Sequence, residues 1–453
     1  MGPDSRSHIG VLRAMRCLMA VVAVACPCLP AMAGGNLCFL LPEDVAQSEG
    51  VVQTAQLPEK GIVMAPKDPS RPSLWYMPVA AIPLGGSTRV WYQRVDKQEK
   101  EYSDQRTLCV GDFTDSGWTL PAIGADSLPW GGPNNVSMRR SPHKPTWGGF
   151  NVFQILRVGT AYEMLFWDQP DETGKAGAMR ASSPDGLAWE KRPGTVFTET
   201  NDAFTLMQVG DEYLLYQTKL EAWPDKPYID NIEKQKRVIA LRKSRDLDTW
   251  SPQEVFLRPD AQDAPECEFY LMKAFRYGDA YAGLIMKYYA DPKLPGKHSA
   301  ILKHELLVSK DGIEWQRPYR DTDLGFWAYA DPFEYRGVLH FATWKDGGMV
   351  TATYKPGRLA GVRAEVDGWI VTRPVKGFSK GLSLNVDARD GWVEVSAQGP
   401  TAGQEPVVLG RVENVDGEDV SVPITNAGSL REEDETAFRV RLRHATVFGM
   451  RFE

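Results

Sequence analysis

The chain carries acidic side chains at positions where paired carboxyl groups can act on one substrate. They are Asp202, Glu266, Glu268 and Asp331. Cleavage of a glycosidic bond needs a protonated carboxyl group that donates to the leaving oxygen and an ionised one that attacks or activates water. If both lie on one strand, Glu266 and Glu268 share a face, and we expect their mutual repulsion to raise the pKa of one of them. These acids predict acid-base chemistry on a sugar.

Each acid also has a purely structural interpretation. Asp202 can cap a turn, and Asp331 precedes a proline and is typical of a turn start. Glu266 or Glu268 can be an ion-pair partner between neighbouring structural units. Asp68, near the predicted mature N-terminus, is more typical of a surface turn than of a base. The set as a whole favours a catalytic site more than any single member does.

A repeated phrase indicates which elements position these acids. It has the form Ser-x-Asp-x-x-x-Trp at residues 183–189, 244–250 and 309–315, and a shorter version occupies residues 114–118. The four tryptophans are 71, 61 and 65 residues apart. The Asp can accept hydrogen bonds from the N–H groups of a tight turn, and the Trp can pack between units. A repeat at this period predicts one supersecondary unit copied around an axis.

Each interval between these corners holds an aromatic-rich apolar strand. There are five such strands, at residues 89–93, 162–167, 213–216, 281–286 and 338–344. Units of about 60–70 residues with about four strands each are typical of propeller blades, and five of them close a ring without exposed edges. Only residues 230–236 offer a competing helical pattern. Because the first strand of each blade lines the central funnel, we expect the acids that open the last three blades to meet there.

The pattern changes near residue 356. Short alternating strands are predicted at residues 382–386, 392–396, 406–409 and 437–442, separated by Gly and Asp turns. They predict a small C-terminal β-sandwich with a fixed interface to the propeller. The predicted fold is therefore all-β, with a five-bladed propeller at residues 34–360 and the sandwich at residues 361–453.

The N-terminus has the pattern of an export signal. Arg6, Arg13 and Arg16 precede an apolar run at residues 17–25, and a small-x-small site ends at Ala33. The run is too short for a comfortable membrane span. We therefore expect a signal peptide at residues 1–33 and a secreted or periplasmic protein. A lipoprotein site at Cys26 is the alternative.

Composition limits the partners of the protein. The net charge of -7 does not indicate nucleic-acid binding. Cleavage after Ala33 leaves Cys38, Cys109 and Cys267, which allow at most one disulfide. These thiols form no Cys/His cluster, so neither a structural zinc site nor a cofactor is predicted, although an ion on the propeller axis stays open. The expected partner is a carbohydrate, and the sequence leaves the oligomeric state open.

The corner phrases, the blade length, the Glu266–Cys267 pair and the C-terminal module together resemble the exported five-bladed propeller glycoside hydrolases of families 32 and 43. Those families act on fructosides, arabinosides and related sugars. In family 32 a Glu-Cys pair carries the general acid, so the resemblance implies that role for Glu266. The Asn-Asp-Pro-Asn nucleophile motif of the family is absent, and residues 67–70 only approximate it. The sequence Ala-Asp-Pro at 330–332 follows the acid, so it is not the family's Arg-Asp-Pro motif.

Four further side chains are candidates for contact with a sugar: Asn135, His143, Trp147 and Trp327. The two tryptophans, like Trp75 and Trp344, lie outside the corner phrase and can stack on a sugar ring or pack in the core. His143 lies on a loop that can overhang the funnel or simply be solvated. Asn135, at the predicted start of the second blade, can bind sugar hydroxyls or form a turn.

Three functions fit these observations. The first is an exported glycoside hydrolase that cleaves an oligo- or polysaccharide with paired carboxylates in the funnel. The second is a non-catalytic carbohydrate-binding propeller, which the missing nucleophile motif favours. The third is a sialidase, which ranks last because no set of arginines opens successive blades.

Overall fold

The computed structural model of the protein describes residues 37–67, 69–70, 72–96, 106–124, 134–143, 148–170, 174–198, 201–228, 230–290, 300–376, 381–398, 405–425 and 435–452. Within these ranges the only helical element is a 3-10 turn at Pro42–Asp44. Residues 231–234, where a helical pattern competed, form bends and a turn. The all-β prediction is confirmed. No helix in the described part of the chain has the length and apolarity needed to cross a membrane.

The chain starts with short strands that serve two different sheets. These are β1 (Leu37–Cys38), β2 (Val45–Glu49), β3 (Val52–Ala55) and β4 (Glu59–Ala65). The first three pair with strands near the C-terminus, whereas β4 pairs with the last propeller blade. The beginning of the chain therefore joins both parts of the molecule.

The first three blades follow one another along the chain. The first contains β5 (Leu74–Pro83), β6 (Thr88–Asp96), β7 (Arg106–Thr114), β8 (Gly117–Thr119) and β9 (Val136–Met138). The second contains β10 (Asn151–Val158), β11 (Ala161–Asp168), β12 (Gly177–Ser183) and β13 (Glu190–Lys191). The third contains β14 (Phe204–Val209), β15 (Glu212–Ala222), β16 (Gln235–Ser244) and β17 (Glu254–Leu257).

Two more blades complete the ring. The fourth contains β18 (Cys267–Tyr277), β19 (Ala280–Tyr289) and β20 (Ile301–Ser309), and the fifth contains β21 (Phe333–Tyr335), β22 (Val338–Lys345) and β23 (Gly348–Tyr354). The outer strand of the fifth blade is the N-terminal β4, which pairs antiparallel with β23. Each predicted aromatic strand is the second strand of a blade. The five-bladed propeller is confirmed.

Strand register separates the two ends of the propeller. Asn151, the first residue of β10, pairs with Trp167 near the end of β11. Ser183, which begins a corner phrase, pairs instead with Tyr162 near the start of β11. The corner phrases therefore lie at one end of the ring and the starts of the first strands at the other. The acids that precede β14, β18 and β21 share this second end, which we call the funnel mouth.

The corner phrases are turns built as the sequence predicts. In the third blade, Asp246 accepts hydrogen bonds from the N–H groups of Asp248 and Thr249 at 2.9 and 2.7 Å. The residue after the Asp has a positive φ, 73° at Gly186, 65° at Leu247 and 74° at Gly312. That conformation favours glycine, so the third-blade corner holds its leucine at some cost in backbone energy.

Each corner is also held by the preceding blade. Trp91 of the first blade donates to the Gly186 carbonyl at 2.7 Å, and Tyr216 of the third blade donates to the Gly312 carbonyl at 2.7 Å. Arg180 of the second blade reaches the Asp246 carbonyl at 2.7 Å. In the shortened copy, Asp115 pairs with Arg336 of the fifth blade at 3.0 Å. The corner phrase is therefore a joint between blades.

The C-terminal part is a single hydrogen-bonded sheet in the described residues. Its strands β24 (Ala360–Thr372), β25 (Leu382–Gln398), β26 (Val407–Ser421) and β27 (Ala437–Phe452) combine with β1, β2 and β3. The predicted strands 382–386 and 392–396 are two halves of β25, which shifts register between Ala388 and Trp392. The sandwich is not confirmed. The segment between those halves, where a turn was predicted, is instead a bulge within β25.

The sheet is fixed to the propeller by buried and charged contacts. Asp416 of β26 binds Arg358 and Lys355, both at 2.6 Å, just after the fifth blade. The Tyr319 hydroxyl of the fourth blade donates to the Leu40 carbonyl at 2.6 Å. These contacts fit the expectation of a fixed interface.

We expect the Asp246→Asn substitution to lower the free energy of unfolding at neutral pH, with a difference from wild type that shrinks as the pH falls from about 4 to about 2. Hydrogen bonds from the Thr249 and Asp248 N–H groups lower the pKa of Asp246 from 3.8 to about 2. The ionised side chain therefore stabilises the folded state above its unfolded pKa, and this contribution is lost as the pH falls through the folded pKa. Urea denaturation over this pH range measures the effect.

Asp211→Asn is the matched control, because Asp211 is exposed in the β14–β15 turn of the same blade. A pH-independent difference for Asp246→Asn, or the same pH dependence in the control, contradicts the prediction.

Candidate active site

Polar side chains from three blades meet across the funnel. Lys273 of β18 forms an ion pair with Asp331, which precedes β21, at 2.7 Å. Gln154 of β10 accepts a hydrogen bond from the Lys273 ammonium group at 2.9 Å and donates one to Asp331 at 3.2 Å. The second blade is adjacent to neither the fourth nor the fifth, so these contacts span the centre of the ring. Lys273 is fully buried, while the side chain of Asp331 is 38% exposed.

Asp202 is the second carboxylate that a side chain of β10 holds. Asn151, the first residue of β10, donates to Asp202 Oδ2 at 2.6 Å. The turn before β14 is capped by Asn201, whose side chain accepts from the Ala203 N–H at 3.0 Å, so Asp202 is not the capping residue. A Cβ at Gly148 would lie 2.6 Å from Asp202 Oδ2. The absence of a side chain at Gly148 therefore leaves room for the carboxylate.

Strand β10 connects these two carboxylates. Asn151 binds Asp202 and Gln154 binds Asp331, and the two residues are separated by a register shift between Val152 and Gln154. Three residues of strand span about 10 Å. Acids from the third and fifth blades are thus held by side chains of a single strand in the second.

Glu268 lies in a different environment. Its side chain is fully buried, and its oxygens bind Lys226 at 3.0 Å, Arg237 Nη1 at 2.9 Å and the Arg237 backbone N–H at 2.7 Å. Tyr228 also donates a short hydrogen bond to it. The two cations belong to the third blade, so this geometry matches the ion-pair interpretation of Glu268 between blades.

Asp230 completes the group around Glu268. It binds Lys226 at 3.0 Å and Arg237 at 2.9 Å. Burial alone raises the pKa of Asp230, but the Ile232 N–H and Arg237 outweigh burial and lower it. Burial likewise lowers the pKa of Arg237, and attraction to Glu268 and Asp230 outweighs it and raises this pKa. Lys226, Asp230, Arg237 and Glu268 form what we call the charge cluster, an electroneutral set at most 3% exposed.

Glu266 is the partly exposed member of the glutamate pair. It lies in the turn directly before β18. Its backbone carbonyl is 3.2 Å from the Tyr228 hydroxyl, and no side chain of the described residues hydrogen-bonds its carboxylate. Of the two glutamates, Glu266 is therefore the one whose side chain is partly open to solvent.

The predicted sugar-binding residues are dispersed. Asn135 is buried in the first blade, where its amide donates to Tyr92 Oη and the Val110 carbonyl, both at 2.9 Å. The second blade opens at Asn151, so Asn135 does not open it as expected. Trp327 is 2% exposed and packs against Tyr329, as its core interpretation predicts. His143 is half-buried in the segment after β9, and Trp147 and Asp68 lie outside the described residues.

The sequence patterns did not predict three residues of the funnel: Asn151, Gln154 and Lys273. Each is a polar residue in or at the start of an otherwise apolar strand, and each is at most 1% exposed. A buried polar group requires a partner, so a lone lysine in a run such as Leu271–Phe275 is a detectable signal. The identity of the partner depends on ring closure, which the local sequence does not encode.

A cleft of about 260 Å³ lies apart from this site. Its lining includes Asp263, Lys287, Lys303 and Arg320 at the rim of the fourth blade, and none of the funnel acids. Among the described residues, no group of three or more His, Cys, Asp or Glu side chains is placed to hold a metal ion.

No protein-family model and no curated protein matches this chain. Its fold is a five-bladed propeller. Similar solved structures include one described as a glycoside hydrolase, with a TM-score of 0.46, 13% identity and coverage of 67% of this chain and 93% of that chain. A Bombyx mori GH32 beta-fructofuranosidase has a TM-score of 0.40, 13% identity and coverage of 87% and 94%.

A family 117 glycoside hydrolase produced by the marine bacterium Zobellia galactanivorans is also similar. Its TM-score is 0.42 at 13% identity, with coverage of 68% of this chain and 91% of that chain. The propeller glycoside hydrolases indicated by the sequence resemblance are thus among the similar solved structures. The chemistry of this chain depends on its own funnel residues.

We expect Lys273→Met to lower the free energy of unfolding by about 1–3 kcal/mol. The substitution leaves Gln154 Oε1 without its donor and Asp331 without its cation. Because Asp331 is partly exposed, water replaces some of the lost interaction. Urea denaturation measures the change, with the exposed Lys303→Met as control; equal effects in the two variants contradict the prediction.

Proposed function

We propose that the protein is an exported glycoside hydrolase whose active site is the funnel mouth. The observation that carries this proposal is that Asp202 and Asp331, from two different blades, are both partly exposed and both held by side chains of β10. Carboxylates that approach one funnel from separate blades can contact a single bound sugar, and Glu266 precedes the first strand of a further blade at the same end of the ring. The proposed substrate is accordingly an oligo- or polysaccharide.

The surroundings of each acid suggest its role. Asp331 lies 2.7 Å from the ammonium group of Lys273, which fixes its position, and it is assigned as the nucleophile or the base that activates water. No cation of the described residues pairs with the Glu266 carboxylate, and Glu266 is assigned as the proton donor to the leaving oxygen. Asp202, held by Asn151, is assigned to bind and orient the sugar hydroxyls.

A non-catalytic carbohydrate-binding propeller is the second candidate. The first strand of the first blade opens with Leu74, Trp75 and Tyr76, where the other blades present a carboxylate or an amide. The Trp75 side chain is 38% exposed and can stack on a sugar ring. This aromatic opening favours binding, because it supplies contact area without a proton-transfer group.

We expect Asp331→Asn and Glu266→Gln each to reduce hydrolysis at least about 100-fold, because each removes one half of the acid-base pair. Release of reducing sugar from a panel of plant, algal and bacterial glycans measures it. Glu334→Gln, an exposed residue of the same blade as Asp331, and Asp211→Asn, in the third blade at the opposite end of the ring, are the controls. Both controls are expected to keep wild-type activity.

Calorimetric titration of wild type with the same glycans separates the two candidates. Binding without hydrolysis in wild type would establish the binding protein and refute the hydrolase. Full activity in Glu266→Gln would refute the assignment of Glu266 as proton donor. The role of Asp331 is tested separately by Asp331→Asn.

We expect expression of the full chain in a bacterium to yield an exported protein that begins at Gly34. The basic, apolar and small-x-small pattern of residues 1–33 supports this outcome. Burial raises the pKa of Cys109 and Cys267 to about 12, which suppresses the reactive thiolate and suits an oxidising compartment. Cell fractionation and intact mass measure the outcome.

Ala33→Arg is the control, because a large charged residue at the cleavage site should block processing. Retention of Met1 in a cytoplasmic wild-type product would contradict the proposal. A lipid-modified chain beginning at Cys26 would replace signal-peptide release with lipoprotein anchoring.

A further inference from the structure

The third blade extends beyond its own first strand at the funnel mouth. Strand β14 begins at Phe204, which pairs with Gln217, whereas β15 and β16 continue to pair for five more positions, from Thr218–Ile239 to Ala222–Gln235. We call residues 218–228 and 230–239, which form this extension, the raised hairpin. On the β14 side the Thr218 N–H still donates to the Ala203 carbonyl at 3.0 Å, but the described residues provide no strand partner beyond it. The raised hairpin therefore needs another surface to pack against.

The first strand of the fourth blade provides that surface. Thr218 Oγ1 donates to the Tyr270 carbonyl at 2.5 Å. The Arg237 guanidinium lies 5.0 Å from the centre of the Tyr270 ring and 4.6 Å from that of Tyr288. The raised hairpin is therefore docked onto β18 and β19 rather than projecting into solvent.

The charge cluster locks this docking. Three members of the charge cluster, Lys226, Asp230 and Arg237, belong to the raised hairpin. Among the described residues, Glu268 is the only member of the cluster that comes from the fourth blade. The hairpin contributes two cations and one anion to the cluster, and Glu268 neutralises the remaining positive charge. A hairpin that moved away would leave charges buried without partners, which is costly. The contact between the two blades therefore has one favoured geometry.

Tyr228 connects the docked hairpin to the backbone of Glu266. Its ring lies 4.7 Å from the Lys226 ammonium group, so it belongs to the locked hairpin. Its single hydroxyl proton is shared between two acceptors, the Glu268 carboxylate in the short hydrogen bond and the Glu266 carbonyl oxygen at 3.2 Å. Burial, followed by the hydrogen bond to Glu268, raises the pKa of Tyr228, so the hydroxyl keeps its proton.

We propose that Tyr228 is a positioning residue that fixes the backbone of Glu266 at the funnel mouth, with the charge cluster holding the hairpin that carries it. The inference rests on the proposed function for the role of Glu266 as proton donor. It assigns a purpose to Glu268 as well: that carboxylate orients Tyr228 and does not itself reach substrate. The raised hairpin is thereby a part of the active site contributed by the neighbouring blade.

Tyr228→Phe tests the inference while keeping all four ion pairs of the charge cluster. We expect kcat on the oligosaccharide identified by the glycan panel to fall about tenfold, because a displaced donor protonates the leaving oxygen poorly. On the dinitrophenyl glycoside of the same sugar, whose leaving group needs no protonation, we expect a loss below about twofold. A purely structural role would lower both rates equally.

Tyr288→Phe is the matched control. Tyr288 packs on Arg237 in the same region, and within the described residues no hydrogen bond joins its hydroxyl to Glu266. We expect its rates on both substrates to match wild type. Equal losses on the two substrates for Tyr228→Phe, or the same losses in Tyr288→Phe, overturn the inference.

Amide hydrogen exchange tests the positioning without any substrate. In Tyr228→Phe we expect peptides that cover residues 264–270 to exchange about threefold faster, with no change in Tyr288→Phe. Unchanged exchange in Tyr228→Phe overturns the positioning even if hydrolysis is established. Glu266→Gln with full activity overturns the donor role instead, so failure of the proposed function is distinguishable from failure of the positioning.

Discussion

A fully buried ammonium group at the centre of the funnel requires an anion and a further acceptor, and Lys273 obtains them from Asp331 and Gln154. These partners come from blades that are far apart in sequence, so the requirement is met only when the ring is closed. Much else follows from it. Asp331 is fixed at the mouth, β10 is tied to the fourth and fifth blades, and the same strand is left to hold Asp202 through Asn151.

At the edge of the funnel mouth, the buried charge of Glu268 is neutralised by the neighbouring blade and not by contacts across the ring. Glu268 is satisfied by two cations and a tyrosine from the neighbouring blade, whereas Glu266, two residues earlier, keeps a carboxylate free of such contacts. Two chemically identical side chains thus have distinct environments. Burial with cations suits a joint between blades, and partial exposure suits a group that exchanges a proton. The difference arises from the raised hairpin and not from β18 itself.

The sequence predicts the ring well because its signals are local. A turn motif such as Ser309–Trp315 is specified by adjacent residues, and counting such turns locates the blades and the acids before β14, β18 and β21. The polar contacts across the funnel are non-local, so Lys273 and Gln154 went unrecognised.

The C-terminal sheet shows a second limit of local signals. The segment between the halves of β25 has the composition of a turn, and only its pairing with β26 and β27 makes it a bulge. The same limit applies to β1, β2 and β3, whose partners lie at the other end of the chain.

The pairing of the first strands with the last has a consequence for folding order. Leu37 of β1 pairs with Met450 of β27, and Ala65 of β4 pairs with Met349 of β23. During synthesis from the N-terminus these early strands appear long before their partners, so the propeller ring can close only after β23 has been made and the C-terminal sheet only after β27. Such long-range contacts slow folding. The earliest strands of the chain are therefore among the last to reach their final places, and both parts of the molecule wait for distant partners before they are complete.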